Sequence, residues 1–187
     1  MKYYVLFGPP GAGKGTQAKL MVEKFNFHHV STGDLLRKEI AEGTELGKIA
    51  KALIDNGNFV DDSIVEKMIE NEIENNPTVN GFIFDGFPRT VAQAEALDAM
   101  LAKRSQEVTK ILSIIISDQM VFERIQHRAK IEGRMDDANA ETIQNRINTY
   151  HKKTEPLIEY YEKQGKYNEI CGEGTIEEIF SKIENLL

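Results

Sequence analysis

A glycine-rich run near the start of the chain has the residue types that bind a triphosphate. It reads Gly8-Pro9-Pro10-Gly11-Ala12-Gly13-Lys14-Gly15-Thr16 and follows a short apolar stretch. Glycines let the backbone turn tightly and point several N–H groups inward, where phosphate oxygens bind at the positive end of a helix. Lys14 would reach the β- and γ-phosphates, and the Thr16 hydroxyl would bind Mg²⁺ directly or through water. The run therefore predicts a nucleoside triphosphate site, in a variant that places Gly15 between the lysine and the hydroxyl residue.

A carboxylate, Asp85, follows directly on the apolar run at residues 81–84. In proteins with a phosphate-binding loop, an aspartate at the end of such a strand helps to hold Mg²⁺ or its water ligands. We therefore predict that Asp85 and Thr16 take part in magnesium binding, with water molecules between the ion and the side chains. The alternative is that Asp85 only caps the turn that follows.

The bulk composition limits the classes of protein that this chain can represent. A length of 187 residues suits one globular domain, and a net charge of −7 argues against a broad surface for nucleic acid or anionic membrane. The single cysteine, Cys171, allows neither an intrachain disulfide nor a multi-cysteine zinc site. The apolar runs at 3–7 and 111–116 are too short for a signal peptide or a membrane span, so we expect a cytoplasmic protein.

Short apolar runs alternate with longer stretches of helical pattern along the whole chain. Candidate strands are 3–7, 28–30, 81–84, 110–116 and 167–171, and candidate helices are 14–25, 32–42, 45–55, 61–75, 90–102, 118–129, 140–163 and 175–186. The strands lack strict polar alternation, as strands buried on both faces do. The order predicts an α/β fold with a parallel sheet and helices on both faces. Residues 31–60 and 127–137 depart from this order, either as ordinary connections or as inserted mobile lobes.

Three further motifs carry a resemblance to a known family. They are Ser31-Thr32-Gly33-Asp34-Leu35-Leu36-Arg37, then Asp85-Gly86-Phe87-Pro88-Arg89-Thr90 with Gln93, and then Gly133-Arg134-Met135-Asp136-Asp137 followed by Glu141, Arg146, Tyr150 and Pro156. In this order the chain resembles the nucleoside monophosphate kinases, and the adenylate kinases most closely, from about residue 3 to its C-terminus. The guanine-reading Asn-Lys-x-Asp segment of GTPase switches does not occur in the sequence.

The resemblance implies a fold, a reaction and a set of partners. The fold is a single domain with a five-stranded parallel sheet, whose core is residues 1–30, 61–126 and 138–187. Residues 31–60 would form a mobile lobe for the monophosphate, and residues 127–137 a lid of the short type, without the inserted zinc-binding element. The reaction would be reversible phosphoryl transfer from Mg-ATP to AMP, giving two ADP inside a closed cleft, with Mg²⁺ as cofactor. A monomer that binds neither nucleic acid nor membrane is expected.

The resemblance also assigns roles to individual residues, because phosphoryl transfer needs cations around the reacting phosphates. Arg37 and Arg89 would grip the AMP phosphate, and Arg128, Arg134 and Arg146 would cover the transferring group. With Lys14, the implied catalytic set is Lys14, Arg89, Arg128, Arg134 and Arg146. The ATP site would add Gly11, Ala12, Gly13, Gly15, Thr16, Arg124 and Gly174, and the AMP site Thr32, Asn58, Phe59, Val60, Gly86, Phe87, Pro88 and Gln93. Asp136 and Asp137 would brace the arginines or order the lid, and the alternative is a surface acidic pair.

Two observations qualify this interpretation. Eleven residues separate Arg134 from Arg146, one more than in the short-lid pattern, and we expect the extra residue in the loop before the helix. Thr32 and Gln93 match the adenine-specific pattern, whereas UMP/CMP kinases have alanine at the first position and an asparagine after Phe-Pro-Arg. A UMP/CMP kinase and a nucleotide-binding regulator without catalysis therefore remain as alternatives.

Overall fold

The computed structural model describes residues 1–132, 137 and 139–187. The strands are β1 (Lys2–Phe7), β2 (Phe27–Ser31), β3 (Gly81–Asp85), β4 (Lys110–Ile115) and β5 (Tyr167–Cys171). They form one parallel sheet in the order β2-β3-β1-β4-β5, which confirms the predicted fold class. The crossovers are helical, as a parallel sheet requires.

The first half of the chain contains α1 (Lys14–Phe25), α2 (Thr32–Glu42), α3 (Glu45–Ile54), α4 (Asp62–Asn75) and α5 (Val91–Ala102). The second half contains α6 (Asp118–Glu132), α7 (Ala140–Thr149), α8 (Leu157–Glu162) and α9 (Ile176–Glu184). Residues 31–60 thus carry two helices, α2 and α3, between β2 and α4. In the described part of the chain, no helix combines the length and the apolar character needed to cross a bilayer.

The central strands β1 and β3 are mainly apolar because both faces of the sheet are covered there, whereas the outer strands β2 and β5 carry polar residues and are less buried. Along β1, Tyr3 and Val5 lie in one hydrophobic cluster, whereas Tyr4 and Leu6 lie in the other. Tyr3 also stacks on Phe82, with ring centroids 5.6 Å apart. This alternation places successive side chains on opposite faces, as the pleat of a strand dictates. It fixes the register of the central strands, and with it the position of the segments that follow them.

The carboxyl ends of three strands meet at one edge of the sheet. Leu6 of β1 and Ser31 of β2 are both in register with Asp85 of β3. The glycine-rich run therefore emerges beside Asp85 and beside the start of α2. Ligands of open parallel sheets bind at this edge.

One predicted helix, 140–163, is not continuous. It divides into α7, a π-helical segment at Tyr150–Thr154, and α8. Pro156 has no N–H to continue the helical ladder, and the preceding turn is wider, so that the Glu155 N–H donates to the Tyr150 carbonyl at 3.0 Å. Asp61 caps α4 by accepting from the Ser63 N–H, and Ser31 caps α2 by accepting from the Asp34 N–H.

Candidate functional site

A cleft of about 1100 Å³ opens at the carboxyl edge of the sheet. Almost all of the predicted site residues in the described part of the chain line it. They are Gly11, Ala12, Gly13, Lys14, Gly15, Thr16, Thr32, Arg37, Asn58, Phe59, Val60, Asp85, Gly86, Pro88, Arg89, Gln93, Arg124, Arg128, Arg146 and Gly174. Phe87 is instead fully buried in the hydrophobic cluster. Arg134 and Asp136 lie outside the described residues.

The glycine-rich run folds into a loop that only glycine accommodates at its turning points. Gly11 and Gly13 have φ angles of 80° and 93°, in the left-handed region. Gly8 has a φ of 129°, and a Cβ there would lie 2.3 Å from the Ile114 carbonyl oxygen. The loop ends at α1, so its N–H groups and the helix dipole favour an anion at this point.

Lys14 lies folded against this loop. Its Nζ donates to the carbonyl oxygens of Gly8 at 2.8 Å and Pro9 at 3.0 Å. Burial lowers the pKa of the ammonium to about 8, although Asp85 opposes that shift. A bound phosphate would stabilise the charged form of Lys14 and so raise its pKa again.

Asp85 stands beside the loop with its charge stabilised. Burial favours its protonated form, but the His29 ring nitrogen, 3.7 Å away, and Lys14 together hold the pKa of Asp85 below its usual value. Its Oδ2 lies 3.8 Å from the point where a Cβ on Gly15 would be, and Thr16, the next residue of the chain, is exposed. Hard oxygen donors of this kind suit Mg²⁺. Among the described residues no group of three or more His, Cys, Asp or Glu could hold a metal.

The cleft is strongly cationic although the chain is acidic. Its described lining includes seven Lys or Arg side chains and three carboxylates: Lys14, Lys19, Arg37, Arg89, Arg124, Arg128 and Arg146 against Asp34, Asp85 and Glu123. Burial, and after it the neighbouring Arg146, lower the pKa of Arg89 to about 10. Such a grouping costs free energy unless anions bind to it.

Arg89 is held on several sides. Its Nε donates to the Gly86 carbonyl at 2.7 Å, and its guanidinium lies over the Phe59 ring, 5.0 Å from the centroid. The Thr154 hydroxyl, in the π-helical segment, donates to the Arg89 carbonyl at 3.0 Å. Sequence reasoning missed this contact of Thr154, because it depends on the wide turn before Pro156.

Arg128 and Arg146 share a buried counter-ion. Arg128 lies on α6 and Arg146 on α7, and both pair with Asp137, whose side chain is fully buried. Asp137 thus occupies the bracing position expected for it, and α7 begins only at Ala140. Arg37 pairs with Asp34 one turn earlier on α2, at 2.5 Å.

Two groups of residues that line the cleft are expected to contact the bases, one group for AMP and one for ATP. Thr32 donates to the Gly86 carbonyl at 3.0 Å, and Gln93 is 2% exposed. On the other side, Arg124 donates to the Gly172 carbonyl at 3.0 Å, close to Gly174. Sequence reasoning also missed Gln17, whose Nε2 donates to the Ile176 carbonyl at 3.1 Å and ties α1 to the start of α9.

Comparison with known proteins gives a consistent result. A family model described as adenylate kinase matches residues 6–166. The chain is 47% identical to an adenylate kinase of Flavobacterium psychrophilum over 98% of its own length and 96% of that protein. It is 48% identical to an adenylate kinase of Phocaeicola vulgatus, covering 96% and 94%, and 47% identical to one of Caulobacter vibrioides, covering 98% and 95%.

Proposed function

This chain belongs to the adenylate kinase family, whose reaction is ATP + AMP ⇌ 2 ADP, and from that membership we propose how the cleft divides between the two nucleotides. The glycine-rich loop binds the triphosphate of ATP, and the wall formed by Thr32, Arg89 and Gln93 binds AMP. One observation supports this division. The glycine-rich loop and a separate pair of arginines, Arg37 and Arg89, line the same cleft at the carboxyl edge of the sheet.

The reaction needs little from the protein beyond position and charge. The attacking AMP phosphate is already ionised, so no general base is required. Arg37 and Arg89 orient it, while Lys14, Arg128 and Arg146 stabilise the charge that spreads over the transferring group. The role implied for Arg134 in the same cluster stays a prediction.

Adenylate kinases use ATP as its magnesium complex, and the residues beside the loop suit that substrate. Asp85 would hold the magnesium waters and Thr16 would bind the ion directly or through water, and bound magnesium would neutralise part of the phosphate charge. The chain's own task at this point is to keep Asp85 ionised, which His29 and Lys14 do.

Water must be kept from the reacting phosphates, because hydrolysis of ATP would otherwise compete. We assign this task to two movements, of residues 31–60 as the AMP lobe and of 127–137 as the lid. The protein is expected to act as a monomer in the cytoplasm, which size-exclusion chromatography with light scattering would check for the oligomeric state.

A coupled assay with AMP, UMP, CMP and GMP as acceptors tests the division directly. AMP should be preferred over each of the others by at least about a hundredfold in kcat/KM, because a site that hydrogen-bonds one base edge rejects another. Dominant turnover of UMP or CMP would refute the base assignment and favour a UMP/CMP kinase. Tight ATP binding without formation of ADP would favour a nucleotide-binding regulator instead.

A further inference from the structure

The side-chain amide of Gln93 is fixed from both of its ends. The Arg89 backbone N–H donates to Gln93 Oε1 at 2.7 Å, and Gln93 Nε2 donates to Asp62 Oδ1 at 2.6 Å. A backbone N–H can only donate and a carboxylate can only accept. The identities of these two partners therefore allow only one of the two flip states of the amide.

This flip state leaves a defined pair of groups for a base. After the two bonds, Gln93 keeps one lone pair on Oε1 and one N–H on Nε2. Adenine offers the matching pair, an amino donor at N6 next to an acceptor at N1. Hypoxanthine and guanine present the reverse pair, an acceptor at O6 next to a donor at N1. With either of these bases, the amide oxygen of Gln93 would face O6 and its N–H would face the N1–H, so neither hydrogen bond could form.

Asp62, the partner of the Gln93 amide, lies outside the cleft. It lies in the first turn of α4 and is absent from the described lining, whereas Gln93 lies in the first turn of α5 and contributes to it. The second carboxylate oxygen of Asp62 accepts from the Thr90 hydroxyl at 3.4 Å, and Thr90 Oγ1 in turn accepts from the Gln93 N–H at 3.2 Å. Asp62 is therefore tied both to the side chain and, through Thr90, to the backbone of Gln93.

We propose that Asp62 is a positioning residue for acceptor specificity: by fixing the Gln93 amide, it makes the site favour AMP over IMP and GMP. This rests on the proposed function, in which Gln93 contacts the acceptor base. Asp62 touches no substrate, and its effect is confined to the base, so that the phosphate contacts of Arg37 and Arg89 and the ATP site are unaffected.

Asp62→Asn is the principal test, because it keeps the shape of the side chain but lets it either donate or accept. Measured by calorimetry and by competition, the Kd for AMP should rise about tenfold, the equivalent of one lost hydrogen bond. The preference for AMP over IMP should fall by a similar factor. The Kd for ATP and kcat at saturating AMP should stay within about twofold of the wild type.

Two variants serve as controls for shape and charge. Asp61→Asn removes the same charge one residue earlier, and asparagine also caps helices, so the AMP-to-IMP preference should not change. Asp62→Glu changes the length of the side chain but keeps an acceptor-only group, and it should retain the preference. Loss of preference in Asp61→Asn, or an equal loss in Asp62→Glu, would overturn the proposal.

A double-mutant cycle with Gln93→Ala separates a positioning role from a structural one. If Asp62 acts through Gln93, Asp62→Asn should change nothing further in the Gln93→Ala background. An undiminished effect there, or wild-type affinities in Asp62→Asn alone, would refute the role of Asp62 and leave the proposed function intact. If Gln93→Ala itself leaves the affinities for AMP and IMP unchanged, the proposed base contact fails as well.

Discussion

Arg128 and Asp137 form a two-pronged ion pair in which Arg128 Nε donates to Oδ2 at 2.7 Å and Nη2 donates to Oδ1 at 3.0 Å. The same carboxylate also pairs with Arg146. One buried anion therefore joins α6 to α7 and offsets the repulsion between two guanidinium groups that face the cleft. Parallel N–H···O bonds of this kind fix the plane of an arginine as well as its position.

Replacement of Asp137 by asparagine should loosen both arginines. Removal of one partner of a fully buried pair costs about 3–5 kcal/mol, and because the two arginines are 25% and 20% exposed we expect a loss of about 1–3 kcal/mol in the free energy of unfolding. We expect kcat to fall about tenfold. Urea denaturation and the coupled assay measure the two effects.

Glu141→Gln is the control for this change. It removes an exposed carboxylate from the start of α7 and should change neither the free energy of unfolding nor kcat. A normal kcat in Asp137→Asn would show that the ion pairs of Asp137 are not needed for catalysis.

Arg89→Lys keeps the charge at the centre of the cleft and removes the planar fork. Lysine cannot both bond the Gly86 carbonyl and lie flat over Phe59 while it grips a phosphate with two donors. We expect kcat/KM for AMP to fall by about 10²–10³, since arginines of phosphoryl-transfer sites contribute on this scale.

Arg104→Lys is the matched control for this change. Arg104 pairs with Glu74 at 3.1 Å, away from the described lining of the cleft. The circular dichroism spectrum of both variants should match the wild type. Near-normal turnover by Arg89→Lys would refute the phosphate role of Arg89.

The lowered pKa of Lys14 predicts a pH dependence of stability. Its value falls from 10.5 to about 8 on folding, so the buried ammonium destabilises the ligand-free protein below pH 8. This penalty disappears as pH rises from 8 towards 10.5, because the folded state loses the proton before the unfolded state does. Relative to Lys14→Met, the wild type should therefore gain about 2 kcal/mol in free energy of unfolding between pH 7 and pH 9.5. A constant difference between the two proteins across this range would contradict the shift.

The same residue should take up a proton when a triphosphate binds. Phosphate charge favours the ammonium, so binding of ATP near pH 8.5 should be accompanied by proton uptake. Calorimetry in buffers of different ionisation enthalpy measures that uptake, and Lys14→Met should abolish the part due to this residue. Equal proton uptake by the variant would assign it to another group.

The sheet and the loop could be predicted from sequence because their signals are local. Each apolar run that identifies a strand, and the glycine pattern that identifies the loop, is a short continuous segment of the sequence. The ends of the strands then place Lys14 and Asp85 at the same edge of the sheet. The split of the predicted helix 140–163 could not be read in this way. Pro156 is visible in the sequence, but the wide turn before it also holds Thr154 on the Arg89 carbonyl, which is a contact between distant segments.

The Asp62–Gln93 pair shows a second limit of sequence reasoning. Both residues look like ordinary first-turn residues of separate helices, and only the packing of α4 against α5 brings them together. By contrast, Gln93 itself was found through the family motif. Asp137 lies within a motif, and its bracing of Arg128 and Arg146 was predicted with that motif. Asp62 and Thr154 lie outside the motifs, and their contacts required the structure.

Gly57 lies against Arg146 and should not tolerate a side chain. Its φ is 71°, and a Cβ there would lie 2.9 Å from Arg146 Cγ and 3.4 Å from the Thr142 carbonyl oxygen. The preceding carbonyl, of Asn56, accepts from Asn145 Nδ2 at 2.6 Å, so the segment after α3 is in direct contact with α7. Gly57→Ala should displace Arg146 or separate this segment from α7. We expect a fall of about tenfold in kcat, measured in the coupled assay.

Gly43→Ala provides the matched control, because Gly43 has a φ of 66° and a Cβ there would meet nothing within 4 Å. Both variants carry the strain of a left-handed alanine and should lose about 1 kcal/mol of stability. Only Gly57→Ala adds the contact with Arg146, so only its activity should fall. Equal activity in the two variants would show that Arg146 moves aside without consequence. A loss of activity in Gly43→Ala as large as in Gly57→Ala would assign the effect to backbone strain between α2 and α4 rather than to Arg146.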